Sequence, residues 1–201
     1  MLSAIGLNCT LKRGSEPSST ELLLTRIGEA FRNHQVPFET VHVASLNVLP
    51  GVTSDEGPGD DWPALRRRIL AADILVLGTP IWLGQPSSVA KRVVERMDAF
   101  LSETDDEGRM PSYGRVAVVA VVGNEDGAHH VSAEMFQALN DVGFSLAANA
   151  MTYWVGEAMQ AVDYKDIDPP PEKTANATAM MVRNAVHLAT QLRRAGYPGQ
   201  A

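Results

Sequence analysis

Residues 116–122 read Val-Ala-Val-Val-Ala-Val-Val, and residues 74–77 read Ile-Leu-Val-Leu. A strand that is apolar on both faces requires cover on both sides of its sheet, and parallel sheets obtain that cover from helices. Three further apolar runs are consistent with strands of the same sheet. The five predicted strands are Leu2–Leu7, Phe38–Val43, Ile74–Leu77, Arg115–Val122 and Leu146–Tyr153.

Longer segments with helical spacing alternate with these runs; in one of them Leu23, Ile27 and Phe31 lie four residues apart. The predicted helices are Ser19–Asn33, Pro63–Ala71, Ser87–Leu101, Ala133–Val142 and Lys173–Arg194. The acidic pair Asp60-Asp61 suits an N-cap for the second helix. Strand–helix alternation of this kind predicts a parallel sheet wrapped by helices on both faces. The loops rich in Gly, Pro and acidic residues are Pro50–Asp61, Glu103–Gly114 and Asp166–Glu172.

The composition narrows the class of protein. The chain has 201 residues with no marked shift in composition, so we expect residues 1–201 to form a single domain. Its 17 basic and 24 acidic residues give a net charge of −7, and such a surface disfavours nucleic acid. The single cysteine excludes a disulfide framework within one chain, and we expect no metal site. No apolar stretch reaches the roughly 18 residues of a membrane span and no signal peptide precedes the first strand, so we expect a cytoplasmic protein.

Ligands of an open parallel sheet bind outside the carboxyl ends of its strands, where the strand order reverses. The loop after the first strand carries four hydroxyls and two cations. They belong to Thr10, Ser18, Ser19, Thr20, Lys12 and Arg13. A helix cap explains one hydroxyl, whereas a phosphate at the helix N-terminus explains all six groups. Because the loop contains neither a P-loop motif nor Gly-x-Gly-x-x-Gly, a phosphomonoester fits better than a pyrophosphate.

Two more loops carry ligand-binding signals. After the third strand, Thr79-Pro80-Ile81-Trp82-Leu83-Gly84 places a tryptophan where it can lie against a heterocycle or pack over the sheet edge. After the fourth strand, Gly123-Asn124-Glu125-Asp126-Gly127 allows a ligand close to the backbone, and Asn124 can donate and accept at a ring edge. Together with the phosphate loop they favour an aromatic heterocycle that bears a phosphate. His129 follows at the opening of a helix, either as a proton donor or as a surface residue.

The three loops, in this order and on these strands, resemble those of the flavodoxin-like NAD(P)H-dependent FMN reductases and quinone reductases. Thr10, Lys12, Ser18 and Thr20, with Ser19 between the last two, are similar to the family's phosphate-binding positions. The segment from Thr79 to Gly84 resembles the Thr-Pro-aromatic loop beside the flavin ring. The third loop resembles the family's glycine-containing ring contact through Gly123, Asn124, Asp126 and Gly127. Leu11 and Lys12 stand where the family has Pro and Arg, and Arg13–Pro17 lengthens the loop.

The resemblance implies a flavodoxin-like three-layer sandwich, with a five-stranded parallel sheet of order 2-1-3-4-5 and noncovalently bound FMN. It implies an oxidoreductase that takes hydride from NAD(P)H as co-substrate and passes electrons to a quinone, a flavin or a similar small-molecule acceptor. His129 is then a candidate catalytic residue, and a homodimer or homotetramer is expected by analogy. Two alternatives stay open: an electron carrier that does not react with NAD(P)H, and a non-enzymatic binding module.

Overall fold

The computed structural model of the chain describes residues 1–14, 16–158 and 160–199. Its strands are β1 (Ala4–Asn8), β2 (Phe38–His42), β3 (Ile74–Trp82), β4 (Gln85–Pro86), β5 (Val116–Gly123) and β6 (Ser145–Val155). Five of them are parallel and lie in the order β2-β1-β3-β5-β6. The short β4 pairs antiparallel with the end of β3. The flavodoxin-like fold and the predicted strand order are therefore confirmed, and β4 is an addition that was not predicted.

Helices pack on both faces of this sheet. They are α1 (Ser19–Asn33), α2 (Trp62–Ala71), α3 (Ser88–Met97), α4 (Ala128–Asp141) and α5 (Glu172–Arg194). Short 3-10 segments occupy Val43–Ser45, Asp98–Leu101 and Tyr164–Asp166. The predicted start of the fourth helix at Ala133 was wrong, because the helix begins at Ala128 and its buried face already includes Ala128 and Val131. No helix within the described ranges is long and apolar enough to cross a membrane.

The central strands are buried on both faces. Every residue from Val116 to Val122 is at most 1% exposed. Alternate residues of β3 and β5 pack with α1 and α5 on one side and with α2, α3 and α4 on the other. Full burial of one such side chain contributes about 1.5–3 kcal/mol. The two-sided burial predicted from the apolar runs is what holds the layers together.

Strand β3 is longer than predicted. The prediction ended it at Leu77, the last residue of the apolar run. In the structure Gly78, Thr79 and Pro80 continue the parallel pairing with β5, opposite Ala120, Val121 and Val122. The strand therefore reaches Trp82 and carries this side chain to the edge of the sheet where ligands bind.

The loop at 50–61 is organised by a buried ion pair rather than by regular structure. Arg96 and Asp60 lie 2.8 Å apart with both side chains fully buried. Arg96 also donates to the carbonyl oxygens of Leu49 and Thr53, at 2.8 and 2.9 Å. Of the predicted capping pair, Asp61 occupies the N-cap position of α2, but its carboxylate accepts the N–H of Asn47 at 2.7 Å rather than one from the helix. Asp60 instead accepts the N–H of Trp62, the first residue of α2, at 3.0 Å. The loop is thus tied to α3 through one guanidinium group.

Burial raises the pKa of Asp60, but hydrogen bonds from Arg96 and from backbone N–H groups outweigh this effect. These N–H groups belong to Glu56, Trp62 and Leu49. The net result is a pKa of about 2, below the ordinary value of 3.8. Because the pKa of Asp60 is lower in the folded than in the unfolded protein, its carboxylate stabilises the fold at pH values above 3.8. This stabilisation is lost as the pH falls towards 2.

Replacement of Asp60 by Asn leaves the buried Arg96 without its counter-charge. We expect the free energy of unfolding at pH 7 to fall by about 3–5 kcal/mol. Urea denaturation followed by circular dichroism measures this loss. The difference between Asp60→Asn and the parent protein should shrink as the pH falls from 4 towards 2. Asp106→Asn is the control, since Asp106 is exposed; a similar loss in both variants would contradict the assignment.

Candidate functional site

A cleft of about 500 Å³ lies at the carboxyl ends of the strands in the middle of the sheet. Its walls come from the β1–α1 loop, the ends of β3 and β5, and the segment before the last 3-10 turn. The predicted cofactor-binding residues that line it are Thr10, Lys12, Ser18, Ser19, Thr20, Pro80, Ile81, Trp82, Leu83, Gly123 and Asn124. Val122, Glu125, Ala158 and Asp163 complete the lining and were not among the predicted site residues.

One end of the cleft is polar and lies at the start of α1. Ser18 is the N-cap of the helix, and its hydroxyl accepts the N–H of Glu21 at 3.4 Å. Lys12 donates from Nζ to the carbonyl oxygen of Pro17 at 2.6 Å, so the ammonium group is held over the loop. The first-turn N–H groups of a helix carry partial positive charge. This end of the cleft therefore presents a cation, hydroxyls and a helix N-terminus to the same space.

Ser19 has a second partner that the sequence did not indicate. Its hydroxyl accepts the N–H of Lys165 at 3.2 Å. Arg26 fixes the same 3-10 segment, because it donates to Ile167 O at 2.7 Å and lies 4.8 Å over the ring of Tyr164. The segment is thereby docked on α1 and forms one wall of the cleft. Contacts between residues so far apart in sequence leave no local pattern.

Asp163 brings an ionised carboxylate into the cleft. It accepts a hydrogen bond from Asn124 Nδ2 at 2.7 Å and forms an ion pair with Lys165. The hydrogen bond from Lys165 lowers the pKa of Asp163 more than burial raises it, and Asn124 and the charge of Lys12 lower it further. Asp163 thus interacts with Lys12 of the β1–α1 loop through charge and with the side-chain amide of Asn124, in the loop after β5, through a hydrogen bond.

The other end of the cleft is apolar and exposed. Trp82 is 53% and Leu83 91% exposed, on the tight turn between β3 and β4. The N–H groups of Leu83 and Gly84 donate to the two carboxylate oxygens of Glu125, at 3.0 and 3.2 Å. Glu125 therefore fastens the tryptophan-bearing turn to the loop after β5.

Four of the predicted cofactor contacts do not line the cleft. A Cβ at Gly127 would lie 2.9 Å from Gly84 Cα, so the missing side chain of Gly127 lets the two loops approach each other, whereas Gly84 is required by its positive φ of 73°. Thr79 is fully buried and its hydroxyl accepts the N–H of Ser87 at 3.1 Å. Asp126 accepts the N–H of Gly127 at 2.7 Å. These residues shape the loops that carry the lining side chains.

His129, the candidate catalytic residue, also lies outside the cleft. It is exposed, and its Nε2 is 3.3 Å from the hydroxyl oxygen of Tyr153. Both residues line a separate groove along β6. Among the described residues, no group of three or more His, Cys, Asp or Glu side chains is arranged to hold a metal ion.

At the end of β1, two residues before the cleft-lining Thr10, Asn8 carries a buried donor that lacks an acceptor among the described residues. Asn8 accepts the N–H of Thr10 at 3.2 Å through Oδ1, whereas its buried Nδ2 has no hydrogen-bond partner in the described part of the chain. A buried unsatisfied donor costs about 1–3 kcal/mol. An anion bound at this loop is the kind of group that would satisfy it. The neighbouring Cys9 is fully buried, and burial raises the pKa of its thiol.

Comparison with known proteins assigns the family. The profile of the NADPH-dependent FMN reductase family matches residues 4–160. The chain belongs to this family. The match includes the three loops of the cleft up to residue 160, and the fold described above is that of a flavodoxin-like member.

Two curated relatives cover almost all of the chain. The "8-demethyl-8-aminoriboflavin-5'-phosphate synthase" of Streptomyces davaonensis is 31% identical over 208 residues, which cover 98% of this chain and 80% of that protein. The "Divalent metal cation transporter MntH" of Mycobacterium bovis is 38% identical over 199 residues. That alignment covers 96% of this chain but 29% of the relative, so this chain spans less than a third of the relative's length.

Solved structures agree with the family assignment. RosB, with the bound intermediate 8-demethyl-8-formylriboflavin-5'-phosphate, has a TM-score of 0.89 at 31% identity and covers 100% of this chain and 83% of its own. The NADH:FMN oxidoreductase EMOB in its apo form has a TM-score of 0.62 at 14% identity, covering 95% of this chain and 90% of its own. At that identity the second comparison shows the shared fold alone.

The link between Glu125 and the β3–β4 turn can be tested without a ligand. Because Glu125→Ala removes both acceptors, we expect faster amide hydrogen exchange at Leu83 and Gly84. Glu125→Gln keeps one carbonyl oxygen and should give an intermediate rate. Amides within β5 serve as the internal control, measured by NMR in the same sample. Unchanged exchange at the turn in the Ala variant would show that Glu125 does not hold it.

Proposed function

We propose that the cleft binds FMN noncovalently and that the protein transfers electrons from NAD(P)H to a quinone, a flavin or a similar small acceptor. The observation that carries this proposal is a single cleft with a cationic, hydroxyl-rich end and an apolar, aromatic end. Its volume of about 500 Å³ lies in the range of small-molecule sites. The polarity of its two ends corresponds to the two ends of a flavin phosphate.

The polar end would hold the phosphate. Lys12 supplies the positive charge, and Thr10, Ser18 and Thr20 supply hydroxyls beside the first turn of α1. The buried Nδ2 of Asn8, which lacks an acceptor among the described residues, is available as a further donor. Phosphate oxygens accept several hydrogen bonds at once, and a helix N-terminus favours negative charge.

The middle and the far end of the cleft suit the remainder of the molecule. The ionised Asp163 can accept hydrogen bonds from sugar-alcohol hydroxyls, and Asn124 keeps its carbonyl oxygen free for a ring edge. Pro80, Ile81 and Trp82 offer an apolar wall for the ring. The bound flavin would supply the hydride and electron chemistry, while the chain binds and orients it.

The proposed transfer requires no side-chain acid or base from this cleft. Within the described residues, the titratable side chains that line it are Lys12, Glu125 and Asp163. Each of them is engaged in hydrogen bonds that hold the loops. Their role in the proposal is therefore to position the flavin and to keep one face open to a nicotinamide.

The visible absorption spectrum tests the cofactor, and an NAD(P)H assay tests the activity. After addition of FMN and desalting, flavin absorption should stay with the protein. Addition of NAD(P)H and a quinone should then give steady NAD(P)H consumption. FMN binding without turnover would favour the electron carrier, and failure to bind FMN would favour the binding module. Light scattering of the same sample tests the proposed homodimer or homotetramer.

Lys12→Gln should weaken FMN binding about 10- to 100-fold, the effect of one lost hydrogen bond between charged groups. Riboflavin lacks the phosphate, so its affinity should not change. Quenching of flavin fluorescence measures both constants. The matched control is Lys173→Gln, since Lys173 lies at the start of α5 beside the separate groove. An equal loss for riboflavin would contradict a phosphate contact.

A second candidate function is chemical modification of the flavin itself. The observation that favours it is the likeness to RosB, whose structure holds a flavin-derived intermediate, at 31% identity over the full length of this chain. The same cleft would then bind the flavin phosphate as a substrate. Mass spectrometry of the flavin after many NAD(P)H turnovers distinguishes the two. An unchanged mass supports the reductase, and a changed mass supports the modifying enzyme.

A further inference from the structure

The side-chain amide of Asn124 has one fixed orientation in the cleft. Its Nδ2 donates to one carboxylate oxygen of Asp163 at 2.7 Å, and the other oxygen of that carboxylate pairs with the ammonium group of Lys165. An ionised carboxylate accepts hydrogen bonds and has none to donate. The partner of Asp163 must therefore be the amide nitrogen of Asn124, and the carbonyl oxygen of this amide is turned away from the carboxylate.

The carbonyl oxygen of Asn124 is open to a ligand. Asn124 lines the cleft, and within the described ranges no donor bonds to its Oδ1. A Cβ at Gly156 would lie 3.4 Å from this oxygen, so the glycine leaves the space beside it free. The cleft therefore presents a hydrogen-bond acceptor at this point, although an asparagine side chain also carries two donors.

The orientation is held from α1 by contacts that do not involve a ligand. The N–H of Lys165 donates to the hydroxyl of Ser19, the first residue of the helix, at 3.2 Å. The side chain of Lys165 pairs with Asp163, and Asp163 in turn accepts from Asn124. Because the carboxylate is in place before a ligand binds, turning the amide over would break a hydrogen bond to a charged group. Such bonds contribute more than bonds between neutral groups.

We propose that Asp163 is a positioning residue, which turns the carbonyl oxygen of Asn124 towards the N3–H group of the flavin and so selects a ring with a donor there. The proposal rests on the proposed function, because it requires a flavin in the cleft. The oxidised flavin ring has a single N–H donor, at N3, and its other heteroatoms are acceptors. A fixed acceptor therefore matches N3–H alone among the ring atoms. An amide in the reverse orientation would place a donor against this donor.

The binding test compares FMN with its 3-deaza analogue, in which a C–H group replaces N3–H with little change in size. Both molecules carry the phosphate, so the ratio of their dissociation constants cancels the contribution of charge at the polar end. The full chain should bind the analogue about 10-fold more weakly than FMN, because a site built for an N–H donor keeps an unpaired acceptor. Calorimetric titration measures both constants.

Asp163→Asn tests the positioning role with almost no change in shape. The ammonium group of Lys165 requires an oxygen, so the new amide presents its nitrogen to Asn124, whose side chain turns over and directs a donor into the cleft. The preference for FMN over the analogue should then disappear. The double variant Asp163→Asn/Lys165→Met removes the requirement for an oxygen and should recover part of the preference. A merely structural role would not be rescued by loss of a second ion-pair partner.

Asp166→Asn is the matched control. Asp166 pairs with the same ammonium group, at 3.2 Å, but does not line the cleft. This variant removes one negative charge from the same 3-10 turn and leaves Asn124 with its partner. The ratio of the two dissociation constants should therefore stay at the parent value.

NMR of the flavin-free protein tests the orientation without a ligand. The side-chain amide protons of Asn124 should exchange with solvent faster in Asp163→Ala than in the parent protein, and unchanged exchange would overturn the inference. Equal affinity of the parent protein for FMN and the analogue would also overturn it, since a sugar-alcohol hydroxyl would then be the donor, and would leave flavin binding intact. Failure to bind either flavin would overturn the proposed function and the inference with it.

Discussion

Burial of β3 and β5 on both faces is the constraint from which the rest of the structure follows. Strands with apolar side chains above and below must be covered twice, and parallel pairing then requires a helix between consecutive strands. Right-handed crossovers bring the strand ends that precede each helix to one edge of the sheet. The loops after β1, β3 and β5 meet there, so the cleft is a consequence of how the core is buried. Side chains in those three loops decide what the cleft can bind.

Local sequence patterns were sufficient to predict most of the helices and strands of this fold. Helix α1 matches its predicted bounds at both ends, because its apolar stripe and the cap at Ser18 lie within one segment. The prediction failed where a distant partner overrides a local signal. Gly78 and Pro80 remain in a strand because β5 pairs with them. Asp61 is the N-cap residue of α2, but its carboxylate makes no cap bond because it accepts the N–H of Asn47. Each of these outcomes depends on a contact that spacing along the chain does not encode.

The candidate site also contains residues that the sequence predicted and residues that only the folded structure identifies. The side chains of the first loop and of the β3 turn could be found from residue type and position, and most of them line the cleft. Glu125 was part of a quoted loop, but its bonds to the turn at Leu83 require the folded geometry. Gly84 and Gly127, predicted as ligand contacts, do not line the cleft; the lack of a Cβ at Gly127 allows the two loops to touch at Gly84. Asp163 comes from a segment with no motif and is held by contacts with Asn124 and Lys165.

The lengthened first loop concentrates positive charge at the ligand-binding edge of the sheet. A net charge of −7 would repel a flavin phosphate at long range. Binding therefore depends on cations concentrated where the anions dock. Lys12 lines the cleft and Arg13 lines a neighbouring pocket of about 340 Å³, so the same loop supplies positive charge to both cavities. Because the two side chains are adjacent in sequence, a shift of this loop would alter both cavities together, so the cleft and its neighbour are coupled through one stretch of backbone.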